Sequence, residues 1–187
     1  MKHIILASNS PRRRELLAGL NLDFEVRVLP GIPENYPRSL PASEVAGFIA
    51  REKADAYRET IGQNDLVITA DTVVVVGNEI LGKPKDAEDA RRMLRLISGR
   101  THQVVTGVSL LTADKERCFS VTTDVTFKQL SEEEITYYIE NYKPFDKAGS
   151  YGIQEWIGYV GVTSISGSYF NVMGLPVQRV WEEIKKL

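Results

Sequence analysis

Residues 3–20 read HIILASNSPRRRELLAGL, and this stretch decides the class of fold. Its first five residues, His3 to Ala7, form a short apolar run that predicts a buried strand. Ser10 is a good helix-capping residue and Pro11 suits the first helical position, so a helix follows at once. The apolar side of that helix is formed by Leu16, Leu17 and Leu20. A strand that leads directly into a helix is typical of α/β proteins.

The rest of the chain continues this alternation. Apolar periodicity and capping residues predict helices over residues 43–60, from 86 to about 97, 131–142 and 175–187. Runs of β-branched residues predict strands over 24–29, 66–76, 104–111 and 118–128, the last two turning near 113–115. The four prolines in residues 30–41 predict a loop. The pattern of residues 149–167 predicts a loop with a short strand. We therefore expect an α/β fold with a mixed central sheet flanked by helices, in one domain covering residues 1–187.

Composition excludes several classes of protein. With 187 residues, 43% hydrophobic and 26% charged, the chain has an ordinary globular make-up. The net charge of −2 gives no general attraction for nucleic acid or acidic membranes, so nucleic acid is not an expected partner. No apolar run approaches a membrane span, the N-terminus lacks a signal-peptide core, and the single Cys118 fits a reducing compartment. These features predict a cytoplasmic protein.

Three arginines, Arg12, Arg13 and Arg14, occupy the first turn of the predicted first helix. A helix N-terminus carries partial positive charge, so cations there are disfavoured by up to about 1 kcal/mol each. One interpretation is a solvated basic turn. The second is an anion site, in which Ser8, the loop that follows it and the guanidinium groups hold phosphates. A third is a nucleic-acid patch, although no aromatic stacking residues interleave with the arginines. The position directly after a strand favours the second interpretation.

Two further charged residues interrupt apolar patterns. Lys53 falls on the face of the second helix that should be buried, either as a snorkelling side chain at its edge or as a group that pairs with an anion in a cleft. Asp71 interrupts the β-branched run 66–76. It is either a solvated edge or bulge residue, or a metal ligand or general base at a strand end. Lys83, on a Gly-Lys-Pro turn, and Glu34, in the proline-rich loop, are weak signals alone.

Familiar nucleotide and hydrolase motifs are absent: there is no GxxxxGK[ST], GxGxxG, HExxH or GxSxG. The remaining signals are arginines on a helix start, two lysines, and acidic residues suited to a hard cation. Phosphoryl transfer needs these parts, for neutralisation of charge, metal binding and activation of water.

The sequence resembles the Maf-like nucleoside triphosphate pyrophosphatases. The matching blocks occur in the family's order and cover nearly the whole chain: residues 6–13 (LASNSPRR), 70–74 (ADTVV), 81–84 (LGKP), 98–104 (SGRTHQV), 146–154 (DKAGSYGIQ) and 172–176 (VMGLP). The set is highly specific, although no single block is.

This resemblance implies an elongated central sheet similar to that of inosine triphosphate pyrophosphatases. It implies cleavage between the α and β phosphates with a divalent cation, Mg or Mn, a cytoplasmic location and frequent homodimers. The residue matching Asp71 is the proton acceptor in such proteins. Those matching Arg12, Thr72 and Gln154 distinguish a branch that cleaves dTTP and UTP, and all three here resemble that branch.

Two alternatives remain beside dTTP and UTP hydrolysis. One is a pyrophosphatase for other or modified nucleotides with the same fold. The other is a nucleotide- or DNA-binding regulator of cell division. The combination of Lys53, Asp71 and Lys83 argues against a pure binding module, because binding alone does not need a carboxylate beside phosphate.

Overall fold

The computed structural model describes residues 2–187, which form strands and helices in alternation. The strands are β1 (His3–Leu6), β2 (Phe24–Val26), β3 (Asp65–Val76), β4 (Glu79–Leu81), β5 (Thr101–Leu111), β6 (Glu116–Phe127) and β7 (Val162–Ser166). The helices are α1 (Pro11–Ala18), α2 (Ala42–Asp55), α3 (Ala87–Ile97), α4 (Glu132–Tyr142), α5 (Trp156–Gly161), α6 (Tyr169–Met173) and α7 (Val177–Ile184). A single 3-10 turn covers Ala148–Ser150.

The strands form one mixed sheet in the order β2-β1-β3-β5-β6-β7, with β4 paired to β3. β1 is parallel to both β2 and β3, whereas β3 with β4 and β6 with β7 are antiparallel. Parallel neighbours need crossover connections, and α1 and α2 lie in those connections. The predicted α/β class, with a mixed sheet flanked by helices, is confirmed.

The chain divides into two compact units. The first comprises residues up to 72, 106–121 and 174–187, and the second comprises 73–105 and 122–173. The first contains a small cluster around Ile5, Ala54, Tyr57, Val67 and Leu111. The second is built on the buried stripe of α3, which packs with residues of α4. The single-domain assignment remains a prediction.

Three helices begin where their capping residues predict. Ser10 and Asp86 cap α1 and α3, each accepting a hydrogen bond from the backbone N–H three residues later. Ser131 and Glu134 form a reciprocal capping box at the start of α4. A side-chain oxygen at the N-cap satisfies a backbone donor that would otherwise lack a partner, which explains why these starts can be predicted from sequence.

Two other boundaries differ from the predictions, and the Tyr57 side chain accounts for the one in β2. Tyr57 continues the apolar period of α2, but the helix ends at Asp55, not near residue 60. The Tyr57 hydroxyl donates to the Arg27 carbonyl (3.0 Å) and accepts from the Leu29 N–H (2.9 Å). Because these two backbone groups bond to Tyr57, they are not available to a neighbouring strand. β2 therefore ends at Val26, although the pattern predicted a strand to residue 29.

The sequence patterns also missed short elements. β4 was not predicted, and α5 and α6 lie where loop was predicted or nothing was assigned. α7 is shorter than the predicted 175–187, because it begins after Pro176 at its N-cap and ends at Ile184. Within residues 2–187, no helix has the length and apolar character that crossing a bilayer requires.

Candidate active site

The first turn of α1 carries arginines and no acidic residue of its own. Ser10 Oγ accepts a hydrogen bond from the Arg13 N–H at 3.4 Å, and Ser8 Oγ accepts one from the Ser10 N–H at 3.2 Å. Ser8 is buried, so its hydroxyl shapes the loop that enters the helix. The first turn of α1 contains no acidic residue. The partial positive charge of the helix start and its arginines therefore act in the same direction, which favours an anion.

Arg13 is anchored along one edge of its guanidinium. Its Nε donates to the Gly174 carbonyl at 2.8 Å, and its Nη2 donates to Thr72 Oγ1 at 3.0 Å. The other N–H groups of this guanidinium have no hydrogen-bond partner among residues 2–187. Because the guanidinium is held along one edge, its opposite end can bind a ligand, and phosphate oxygens match that geometry.

The electrostatic surroundings of Arg13 are those of a partly desolvated cation. Burial is the largest influence and lowers the pKa of Arg13, with Asp71 acting in the opposite direction. Arg12 lowers the pKa further and Glu34 raises it, both with smaller effects. An arginine stays protonated at neutral pH despite such a shift. Because little water surrounds the charge of Arg13, its attraction for an anion is stronger than it would be in bulk water.

Lys53 lies between two carboxylates. Its Nζ is 3.0 Å from Asp71 Oδ1 and 2.8 Å from Glu34 Oε1, and also 3.5 Å from the Ala70 carbonyl. The Lys53 and Asp71 side chains are only 15% and 14% exposed, whereas Glu34 is 53% exposed. The Lys53 ammonium thus contacts anions, and its role toward a phosphate remains a prediction. The anions are carboxylates of the chain itself.

Asp71 does not lie at a strand end. It is the seventh residue of the twelve-residue strand β3, between the segment paired with β1 and the segment paired with β4. The β1 register ends at Ile68 and the β4 register begins at Val74. Asp71 and Thr72 fall between these two paired segments, and both are partly exposed within an otherwise buried stretch of β3. Lys53 pairs with Asp71 and so offsets the free-energy cost of burying that carboxylate without a partner.

The carboxylates fit a cation that is shared with a substrate. Among residues 2–187 there is no group of three or more His, Cys, Asp or Glu side chains that could hold a metal ion by itself. Asp71 and Glu34 nevertheless both contact the same Lys53 ammonium, so two carboxylates converge on one region. Magnesium commonly takes one or two protein carboxylates and completes its shell with waters and substrate phosphates. Asp71 and Glu34 would supply the protein carboxylates of such a donor set.

Two of the predicted site residues, Lys83 and Gln154, belong to the second unit. Lys83 is exposed between β4 and α3. Gln154 precedes α5, and its Oε1 is buried without a hydrogen-bond partner among the described residues. A buried amide oxygen without a partner is costly unless a ligand or water supplies a donor. The structure brings together Arg13, Glu34, Lys53, Asp71 and Thr72 in the first unit; the roles of Lys83 and Gln154 remain predictions.

Sequence reasoning missed two contributors to the first unit's part of the site. Thr106, fully buried on β5, places its Oγ1 2.9 Å from Thr72 Oγ1. Gly174 supplies the carbonyl that holds Arg13, at a positive φ of 118° that favours glycine. Gly174 lies in a motif block, but a backbone carbonyl has no signature in sequence. Thr106 resembles an ordinary β-branched strand residue.

Comparison with solved structures defines the class of fold. The Ham1 protein of Staphylococcus aureus superimposes with a TM-score of 0.57 at 16% identity, covering 98% of this chain and 100% of that one. At this identity the similarity concerns the fold alone.

The family follows from sequence. Residues 3–187 match the profile of the family described as Maf-like protein, and the chain belongs to that family. A protein of Phocaeicola vulgatus named dTTP/UTP pyrophosphatase is 62% identical over 184 residues, covering 98% of this chain and 95% of its own. A protein of Bacteroides fragilis with the same name is 57% identical over 184 residues, with the same coverage. A third of that name, from Flavobacterium psychrophilum, is 53% identical over 178 residues, 95% of this chain and 91% of its own.

Proposed function

We propose that this protein hydrolyses nucleoside triphosphates, with dTTP and UTP as its substrates, to the monophosphate and pyrophosphate. The names of relatives at 62% and 57% identity support the reaction and the substrates. The observation that carries the chemistry is the Lys53–Asp71 pair, close enough to Arg13 for its carboxylate to influence the pKa of that arginine. Within the first unit, a carboxylate that can accept a proton lies among cations that can hold phosphates.

In the proposed reaction, Asp71 accepts the proton of the attacking water. Lys53 Nζ holds Asp71 Oδ1, and Oδ2 has no hydrogen-bond partner among residues 2–187, which leaves it for water. The water oxygen forms a bond to the α-phosphorus and its proton passes to Asp71. The bond from that phosphorus to the bridging oxygen breaks, and its electron pair leaves with pyrophosphate. Arg12, Arg13 and the N-terminus of α1 neutralise the negative charge of the phosphates, and Ser8, in the loop before the helix, contributes to their binding.

The other proposed site residues bind and orient the substrate. Thr72, adjacent to Asp71 and bonded to Arg13, contributes to selectivity, and Lys83 supplies a further cation for the phosphates. Gln154 offers both a donor and an acceptor, which suits the edge of uracil or thymine. Its partnerless Oε1 is consistent with an acceptor reserved for a ligand.

The proposed site includes a divalent cation, Mg or Mn, bound by Asp71 and Glu34 together with the phosphates. Such an ion, when bound, polarises phosphoryl oxygens and spreads the negative charge of the transition state. We also propose, from the family resemblance, that residues 1–187 act as one domain, in the cytoplasm and as a homodimer. Light scattering on the purified chain tests the last point directly.

The position of attack is tested by hydrolysing UTP in water enriched in ¹⁸O and analysing both products by mass spectrometry. Attack on the α-phosphorus puts the label in UMP and none in pyrophosphate. Label in pyrophosphate would mean attack at the β-phosphorus, and release of labelled orthophosphate with UDP would mean cleavage at the γ position. Either of these would overturn the proposed reaction.

A further inference from the structure

A chain of hydrogen bonds leads from a fully buried hydroxyl to the guanidinium of Arg13. Thr106 Oγ1 lies 2.9 Å from Thr72 Oγ1, and Thr72 Oγ1 accepts from Arg13 Nη2 at 3.0 Å. Thr106 is on β5 with no solvent exposure, and Thr72 is on β3. All three residues belong to the first unit. The hydroxyl of Thr72 is therefore contacted by a group on each of two sides.

The Thr106 contact selects one orientation of Thr72. A threonine side chain occupies one of a few staggered rotamers, and each points the hydroxyl in a different direction. Only a rotamer that satisfies both contacts keeps Thr72 Oγ1 between Thr106 and Arg13. Whichever threonine donates the proton, the bond between the two hydroxyls holds that rotamer. Loss of the Thr106 hydroxyl removes this selection while leaving Thr72 in place.

Thr72 in turn sets the orientation of Arg13. The Gly174 carbonyl holds Nε and Thr72 holds Nη2, so the two acceptors fix the plane of the guanidinium by its edge. A guanidinium recognises phosphate through paired donors in a fixed fork, so its plane matters for binding. If Thr72 is misplaced, the guanidinium plane of Arg13 can turn about its remaining hydrogen bond to the Gly174 carbonyl. Its free end then no longer points in one direction.

We propose that Thr106 is a positioning residue for substrate binding: its buried hydroxyl orients Thr72, and Thr72 orients the free end of Arg13 toward the phosphates. This inference rests on the proposed function for the identity of the ligand. It assigns a role to a residue that has no solvent exposure and that sequence patterns present as core.

The first test is steady-state kinetics of Thr106→Val with UTP. Arg13 is expected to bind phosphate in both ground and transition states, so KM should rise about three- to tenfold, with a smaller change in kcat. That factor corresponds to the usual value of one neutral hydrogen bond. Thr106→Ser keeps the hydroxyl and should lie much closer to the wild type. If Thr106→Val does not fold, Thr106→Ala compared with Thr106→Ser isolates the same hydroxyl.

Two comparisons separate positioning from loss of stability. Thr123 is also fully buried, and within residues 2–187 its hydroxyl forms hydrogen bonds only with Ser168 and Asn171. Thr123→Val should lower the melting temperature without the rise in KM. In an Arg13→Ala background, Thr106→Val should raise KM no further, because the residue acts through Arg13. Equal KM values for Thr106→Val and the wild type, or fully additive effects with Arg13→Ala, would overturn the inference.

A spectroscopic measurement keeps this inference distinct from the proposed function. The Nε–H of Arg13, held by the Gly174 carbonyl, should give a slowly exchanging signal in ¹⁵N-correlated NMR spectra. Its exchange with water should accelerate in Thr106→Val and return toward the wild-type rate in Thr106→Ser. An unchanged exchange rate would refute the positioning role whatever the wild type hydrolyses. A wild type that cleaves no nucleotide, with the exchange effect present, would refute only the proposed function.

Discussion

At the scale of single residues, Asp71 offers the most direct test of the chemistry. Asp71→Asn keeps the shape of the side chain but cannot accept a proton or contribute charge to a cation site. We expect turnover of UTP to fall by at least about a hundredfold, the usual consequence of removing a general base. Circular dichroism checks that the fold survives. Near-normal turnover in a folded variant would remove Asp71 from the mechanism.

Lys53 tests whether the two carboxylates need their shared cation for catalysis. Lys53→Ala removes the group 3.0 Å from Asp71 and 2.8 Å from Glu34, and the activity per folded molecule should fall at least about tenfold. Arg58→Ala is the matched control, since Arg58 pairs with Asp55 and Glu116 at the surface and touches no proposed site residue. Should Lys53→Ala melt much earlier yet retain full activity per folded molecule, Lys53 has a purely structural role.

His102 gives a prediction about pH. Its Nε2 contacts the Tyr151 hydroxyl at 2.6 Å, and burial lowers the pKa of His102 from 6.5 to about 4, against a smaller opposite effect of Asp124. As the pH falls from 6.5 to 4, the unfolded chain takes up a proton that the folded protein excludes. The free energy of unfolding should therefore decrease by up to roughly 3 kcal/mol through this residue.

Urea denaturation between pH 7 and pH 4 measures that effect, with His102→Phe as the comparison. The variant should lose less stability on acidification than the wild type over the same interval. Parallel curves for the two proteins would show that His102 does not titrate in this way.

At the scale of elements, capping side chains link local stability to the site. Ser10→Ala removes the cap of α1 and Ser131→Ala removes that of α4, each by deleting a bond to a backbone N–H. Both should lower the free energy of unfolding by about 1 kcal/mol. Only Ser10→Ala should also raise KM for UTP, because the lost bond is to the backbone of Arg13. Equal KM values in the two variants would show that the cap of α1 does not affect substrate binding.

Elements with strong local signals were predictable, and those determined by distant contacts were not. The starts of α1, α3 and α4 follow from their capping residues. α5 has two glycines in six residues and its sequence predicts loop, yet a Cβ at Gly158 would lie 1.8 Å from the Ile153 carbonyl oxygen. The helix forms because glycine permits that approach, which only the folded chain reveals.

The same distinction applies to the site. Sequence singled out Arg13, Lys53 and Asp71 individually, because each breaks a local rule of charge or burial. It did not reveal that Lys53 pairs with Asp71 and Glu34, since those partners are separated by 18 and 19 residues along the chain. Thr106 obeys every local rule and gave no signal at all.

At the scale of the whole molecule, the central claim is that this chain cleaves dTTP and UTP between the α and β phosphates. The direct measurement is a panel of dTTP, UTP, CTP, ATP, GTP and 7-methyl-GTP with the folded protein and Mg or Mn, detecting pyrophosphate and orthophosphate separately. We predict pyrophosphate from dTTP and UTP, and little from the purine and methylated nucleotides. Orthophosphate alone would contradict the reaction. Pyrophosphate chiefly from purine or methylated substrates would contradict the specificity, and no release from any nucleotide would contradict the enzymatic function itself.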